Sequence, residues 1–161
     1  MFLLEIRKIT DSDREWVEQF ILEKWHSSFV VRLGEAVYPK NLEGFVVEID
    51  DQKVGLITFQ IVNDQCEIVT INSTLENSGV GSVLISKVKE AAIAYKCRRL
   101  WLITTNDNLP AMRFYQKRGF CFKKVYPNAL EISRKIKPEI PKIGILGIPL
   151  RDEIEFELVL K

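Results

Sequence analysis

The chain has a single histidine and only three cysteines, Cys66, Cys97 and Cys121, none of them in a CxxC pair. No Cys/His cluster has the ligand spacing of a zinc site, so no metal centre is expected. An odd number of scattered thiols reads as reduced and mostly buried cysteine in a cytoplasmic protein, not as a disulfide framework. Charge of one sign is missing too: 23 Lys and Arg stand against 22 Asp and Glu, a net charge of +1. Such a balance leaves no electrostatic footprint for nucleic acid or for a membrane surface. Long apolar runs are also absent. The N-terminal stretch MFLLEIRKIT reaches Glu5 too soon for a signal-peptide core, and nothing approaches membrane-spanning length. There is no internal repeat, low-complexity tract or Gly/Ser-rich linker. With 161 residues, 47% of them hydrophobic, the chain fits one domain over residues 1–161 with a core of its own.

Alternation and helical periodicity divide what is there. FLLEIRKI predicts a first strand, and TDSDREWVEQFILEKW a helix capped by Thr10 or Asp11, with Trp16, Phe20, Ile21 and Trp25 on one face. Residues 26–42 carry no clear pattern. EGFVVEID, KVGLITFQIV and CEIVTINS are strands joined by short turn signals, hence antiparallel. The stretch LENSGVGSVLISKVKEAA starts a helix whose apolar stripe runs through Val80, Leu84, Val88, Ala91, Ala92 and Tyr95. RRLWLITT reads as a central strand, NLPAMRFYQKRG as a short helix capped by Asn108 and ended by Gly119, and FCFKKVY as a strand. NALEISRKI gives a helical turn or two, and DEIEFELVL a closing strand. The fold class is α/β (α+β): a mixed, mostly antiparallel sheet flanked by helices.

Gly79 and Gly81 sit where a helix must begin, although glycine is a poor helix former. A strand, a glycine turn and a helix N-terminus make an anion seat, because the first amides of a helix lack internal partners and the helix dipole is positive there. A P-loop would need Lys-Ser/Thr after the last glycine, where this chain has Ser82 and Val83. A dinucleotide fingerprint would need a third glycine where Leu84 stands, and an acidic residue where the next strand ends in Thr104 and Thr105. A glycine turn that merely tightens a corner is the remaining alternative.

Twenty-five residues past Gly81 begins NDNLPAMRFYQKRGF, which contains N-x-x-A-x-x-F-Y-x-x-x-G-F from Asn108 to Phe120. With the preceding turn, it resembles the GNAT superfamily of acyl-CoA-dependent N-acetyltransferases over about residues 43–126. In that family a (Q/R)-x-x-G-x-(G/A) turn opens a long helix, and a strand and this second segment follow. The resemblance implies a GNAT-type central sheet of about six to seven strands and a cytoplasmic enzyme using acetyl-CoA. Acetyl would pass directly to a primary amine of a small molecule or a protein, in a ternary complex. Dimers are frequent in the family, so a homodimer is open. A catalytically inactive acyl-CoA sensor or scaffold is the alternative.

The resemblance also assigns residues. Gly79 and Gly81, with the amides of Ser78, Val80 and Ser82, would cradle the pyrophosphate of coenzyme A. Glu76 stands where the family has Gln or Arg, and either faces solvent or weakens cofactor affinity. Val69, Thr70 and Ile71 lie on the strand that the family parts from its neighbour to hold the thioester. Asn108, or the neighbouring Asn106, would hold the pantetheine arm. Tyr115 would return a proton to the departing thiolate; packing beside Phe114 is its structural alternative. Glu67 is the candidate base for the amine. Its alternatives are an exposed polar position on an alternating strand or an anchor for a cationic substrate. The first-helix region shapes the acceptor pocket in this family, making Trp25, His26, Phe29 and Arg32 candidate acceptor contacts.

Overall fold

Nine strands and four α-helices follow in the computed structural model, which describes residues 3–160. Seven of the strands form a mostly antiparallel sheet, and the fold is mixed α/β. The described chain falls into two compact units: residues 3–30, 38–100 and 160, and residues 31–37 and 101–159.

In the first unit β1 (Leu4–Lys8), β4 (Glu43–Ile49), β5 (Gln52–Val62) and β6 (Gln65–Ser73) lie in that order, each antiparallel to the next. Phe2, placed in the first strand by the sequence, lies outside the described residues. Helix α1 (Arg14–Trp25) begins after a 3-10 turn at Asp11–Asp13, and the Asp13 carboxylate accepts the Thr10 N–H at 2.7 Å. Thr10, one of the two expected caps, is the N-cap of this turn and shares a capping box with Asp13, whose side chain also meets Arg7 at 2.7 Å and Lys53 at 3.1 Å. Val17, Phe20 and Ile21 of α1 close a core with Val46 and Leu56. Val17 takes the place that periodicity gave to Trp25, which is exposed.

Helix α2 (Val80–Ala94) lies against β4, β5 and β6 through Val80, Leu84, Ile85, Val88 and Ala92. Tyr95 falls outside this face and is exposed. Gly55 of β5 makes the seating possible: a Cβ there would stand 2.5 Å from Val80 Cγ1.

In the second unit the sheet strands are β7 (Arg99–Thr105, whose first two residues count with the first unit), β8 (Cys121–Tyr126) and β9 (Glu153–Val159), the last two antiparallel. Helix α3 (Leu109–Lys117) starts at Asn108, whose Oδ1 accepts the Ala111 N–H at 3.2 Å, with Pro110 in its first turn. Helix α4 (Ala129–Ile136) is a full eight residues.

The unpatterned stretch 26–42 contains β2 (Val30–Arg32) and β3 (Glu35–Val37), a separate two-stranded sheet turned by Leu33 and Gly34, both at positive φ. Paired positive φ is the mark of a tight hairpin turn. Strands of three residues are too short for periodicity to register; the Leu-Gly step between VVR and EAV is the signal that would have found them. Cys66 and Cys97 are buried as expected, whereas Cys121 is exposed.

Candidate active site

Strand β6 carries an irregularity at the place where the sequence expects a parted strand. Phe59 pairs with Ile68 and Thr58 with Thr70, so Val69 has no partner across β5. One extra residue in one strand is a β-bulge, which twists the strand locally and re-aims its groups. The hydroxyls of Thr58 and Thr70 meet at 2.6 Å in the buried layer beside it. Glu67, two residues before the bulge, is 3% exposed and accepts Gln60 Nε2 at 2.9 Å. Its placement on an exposed strand face is thereby overturned: both faces of β6 are covered around residues 66–68.

After β6 the chain turns through Thr74, whose N–H donates to the Val54 carbonyl at 2.8 Å. The Ser78 hydroxyl donates to Leu75 O at 3.0 Å. Gly79 then takes φ +83°, a left-handed conformation that costs glycine nothing, and α2 begins. A Cβ placed on Gly79 would meet no atom within 4 Å, and residues 74–79 are exposed. The mouth of the helix is open. The helix is 15 residues long with no acidic residue in its first turn, and its first amide, that of Val80, donates to Ser78 Oγ at 3.4 Å. Glu76 is exposed.

Trp25, at the end of α1, donates its indole N–H to Asn72 Oδ1 at 2.9 Å. The tie brings α1 to β6 beside Ile71, and Asn72 had no distinguishing feature in the sequence. His26 follows at φ 58° as the exposed C-cap of α1. Phe29 is half-buried, its ring 5.5 Å from that of Tyr38. Arg32 belongs to the second unit, where it faces Glu35 at 3.7 Å.

Tyr115 is 8% exposed, with its ring edge-on to Phe114 at 5.3 Å and to Phe120 at 5.6 Å, and 6.3 Å from Phe156. The packing beside Phe114, the structural alternative for this residue, is thus present. Burial pushes the phenol's pKa above its ordinary value, so the hydroxyl keeps its proton beyond neutral pH.

The two asparagines differ. Asn106 has its backbone N–H on the Asp152 carbonyl at 3.0 Å and its Nδ2 on Pro149 O at 2.8 Å. Its Oδ1 accepts the N–H groups of Arg151 and Asp152 at 3.0 and 2.9 Å. It is a clamp on the 149–152 segment. Asn108 uses only its Oδ1, and its NH2 makes no hydrogen bond among the described residues. Between them Asp107, which sequence reasoning passed over, is 4% exposed and accepts the Thr105 hydroxyl at 2.5 Å and the Ile145 N–H at 2.8 Å.

Among the described residues no group of three or more His, Cys, Asp and Glu is placed to hold a metal ion, and no helix is long and apolar enough to cross a membrane.

Residues 6–120 match the Acetyltransferase (GNAT) family. The uncharacterized protein YdhI of Bacillus subtilis (strain 168) is 47% identical over 120 residues, 74% of this chain and 75% of that protein. Among solved structures, an IAA acetyltransferase from Bacillus cereus ATCC 14579 superposes with a TM-score of 0.74 at 19% identity, covering 98% of this chain and 100% of the other. A Bacillus subtilis acetyltransferase in complex with CoA gives 0.69 at 18% identity, with both chains fully covered. Fold, glycine turn and the match over most of the chain lead to one assignment: the chain belongs to the acetyltransferase (GNAT) family.

Proposed function

We propose that the protein is an N-acetyltransferase, one catalytic domain that moves acetyl from acetyl-CoA to a primary amine by direct transfer in a ternary complex. The observation that carries this reading is the open turn at Gly79, set at the mouth of α2 directly after the bulged strand β6. Bound there, acetyl-CoA supplies an activated thioester, and the residues of the chain do the rest.

The amides of Ser78, Gly79, Val80, Gly81 and Ser82 hold the pyrophosphate, with Glu76 directed to solvent. Val69, Thr70 and Ile71 offer backbone donors to the thioester carbonyl, where a donor aimed at developing negative charge contributes about 3 kcal/mol to catalysis. The NH2 of Asn108 takes a carbonyl of the pantetheine arm, and Asn106 fixes the segment beside it. Glu67, held by Gln60, takes the proton of the attacking amine, directly or through water. Tyr115 gives its proton to the departing sulfur; its buried, neutral phenol suits that duty. Trp25, His26, Phe29 and Arg32 contribute to the acceptor side. In sum an N–C bond forms, a C–S bond breaks, nitrogen loses a proton and sulfur gains one.

Calorimetric titration of the purified chain with acetyl-CoA, with NAD as control, tests the cofactor half. Micromolar binding of acetyl-CoA alone is expected, and its abolition in Gly81→Asp, which sets a carboxylate at the mouth of the cradle while the far-ultraviolet spectrum stays native. Wild-type affinity in that variant would refute the cradle.

A further inference from the structure

In the second unit the Leu33–Gly34 turn, residues 124–127 at the end of β8, and Ala129 and Ile132 of α4 surround a cavity of about 370 Å³. That is within the range of small-ligand sites. Its walls are apolar apart from Lys124, whose ammonium stands 4.8 Å over the Tyr126 ring.

Two carboxylates stand behind these walls and not in them. Glu153, 1% exposed, accepts the Leu33 N–H at 3.2 and 3.3 Å through its two oxygens. Glu155, 6% exposed, accepts the Tyr126 hydroxyl at 2.7 Å. The fully buried Ser133 hydroxyl of α4 makes no hydrogen bond among the described residues. Each carboxylate braces a wall residue, neither lines the cavity, and Glu155 lies across the β8/β9 ladder from Lys124. A polyamine or an aminoglycoside would meet one cation and no anion in this lining. An apolar group attached to an anion meets apolar walls and Lys124.

The cavity is also joined to the residues placed around the acetyl-bearing arm. Asp152 Oδ1 accepts the Asn128 N–H at 2.8 Å, fixing the start of α4, while the Asp152 backbone is bonded on both sides to Asn106. One residue therefore anchors both the cavity wall and the clamp at the end of β7.

We propose that this cavity receives the apolar side chain of an amino-acid-type acceptor, a primary amine whose carboxylate pairs with Lys124. The assignment rests on the N-acetyltransferase reading and names its acceptor class. The amine nitrogen forms the new bond to the acetyl carbon and gives its proton to Glu67, the C–S bond breaks, and the departing sulfur takes the proton of Tyr115.

The test uses the full chain with leucine, leucinamide and spermidine. Ligand-detected NMR reads binding without acetyl-CoA, and release of free thiol reads turnover with it. Leucine is expected to bind and to be acetylated with the highest kcat/KM. Leucinamide, which lacks the anion, is expected to show a KM about fivefold higher, the scale of one exposed ion pair. Lys124→Glu should raise KM for leucine by at least that factor, leave KM for leucinamide unraised, and leave acetyl-CoA affinity unchanged. Ala129→Trp, which fills the cavity, should raise KM for both. Preference for spermidine, absence of leucine binding in a chain that binds acetyl-CoA, or indifference of leucine turnover to both substitutions would overturn the assignment. Failure to bind acetyl-CoA at all would sink the underlying function, and the acceptor class with it.

Discussion

Tyr115 illustrates how packing sets the acidity of a side chain. Three aromatic neighbours fix its ring, and the same burial raises the pKa of its hydroxyl. The sign of that shift matters for an acid: a phenol ordinarily deprotonates near pH 10, and a raised pKa keeps it protonated above that point. The kcat profile should therefore show no alkaline fall assignable to Tyr115 between pH 7 and 10. Tyr115→Phe removes the proton and keeps the ring, so it should lower kcat by about a hundredfold, within the usual range for general acid catalysis, while the Kd for acetyl-CoA stays the same. An unchanged kcat would take Tyr115 out of the mechanism. Glu67 teaches a different lesson at this scale. Alternation along β6 left an exposed position open as an alternative, but burial depends on what covers each face, and that information lies in residues distant in the chain.

At the scale of elements, long periodic segments were legible and short or locally anchored ones were not. Helix α2 was readable from its stripe and its glycines, and α3 from Asn108, Pro110 and Gly119, because caps and periodicity are local physics. The hairpin at Val30–Val37 was missed since three-residue strands carry no period, and the bulge at Val69 because it is a relation between two strands. The 142–150 segment was equally opaque. It is held by Asp107, whose Oδ2 accepts the Ile145 N–H and would lie 2.0 Å from any Cβ at Gly144, and by Asn106 through Pro149. Asp107→Ala removes the central anchor of this segment. Limited proteolysis should then cut between residues 142 and 150 at least tenfold faster than in the parent chain, with the global unfolding midpoint moving far less, as expected of a local opening. Equal cleavage rates would show that the Asn106 contacts alone suffice.

For the whole molecule, a net charge of +1 leaves little self-repulsion, so pH sensitivity is carried by particular buried groups. Asp13 is the foremost of these. Its carboxylate, 2% exposed, is shared by Arg7, Lys53 and the Thr10 amide, and the Arg7 guanidinium holds its pKa well below the usual carboxylate range. A depressed folded-state pKa contributes stability above the unfolded value, near 4, and loses it as pH falls below that value. Asp13→Asn should cost about 2 kcal/mol at pH 7, less than a fully buried pair because Arg7 is 36% exposed. The gap between variant and parent should shrink as denaturant midpoints are measured from pH 5 down to pH 2. A gap that stays constant would locate the stabilisation in shape and not in charge.

The turn at Gly79 presents amides and no side chain. Reagents that modify lysine or arginine therefore have nothing to attack there. Ser78, whose hydroxyl ties Leu75 O, and Asn77 at φ 52° keep the path of the main chain, and the exposed Glu76 is the position with most latitude. What the turn offers a ligand is therefore set by the backbone path, and by the few residues that hold it.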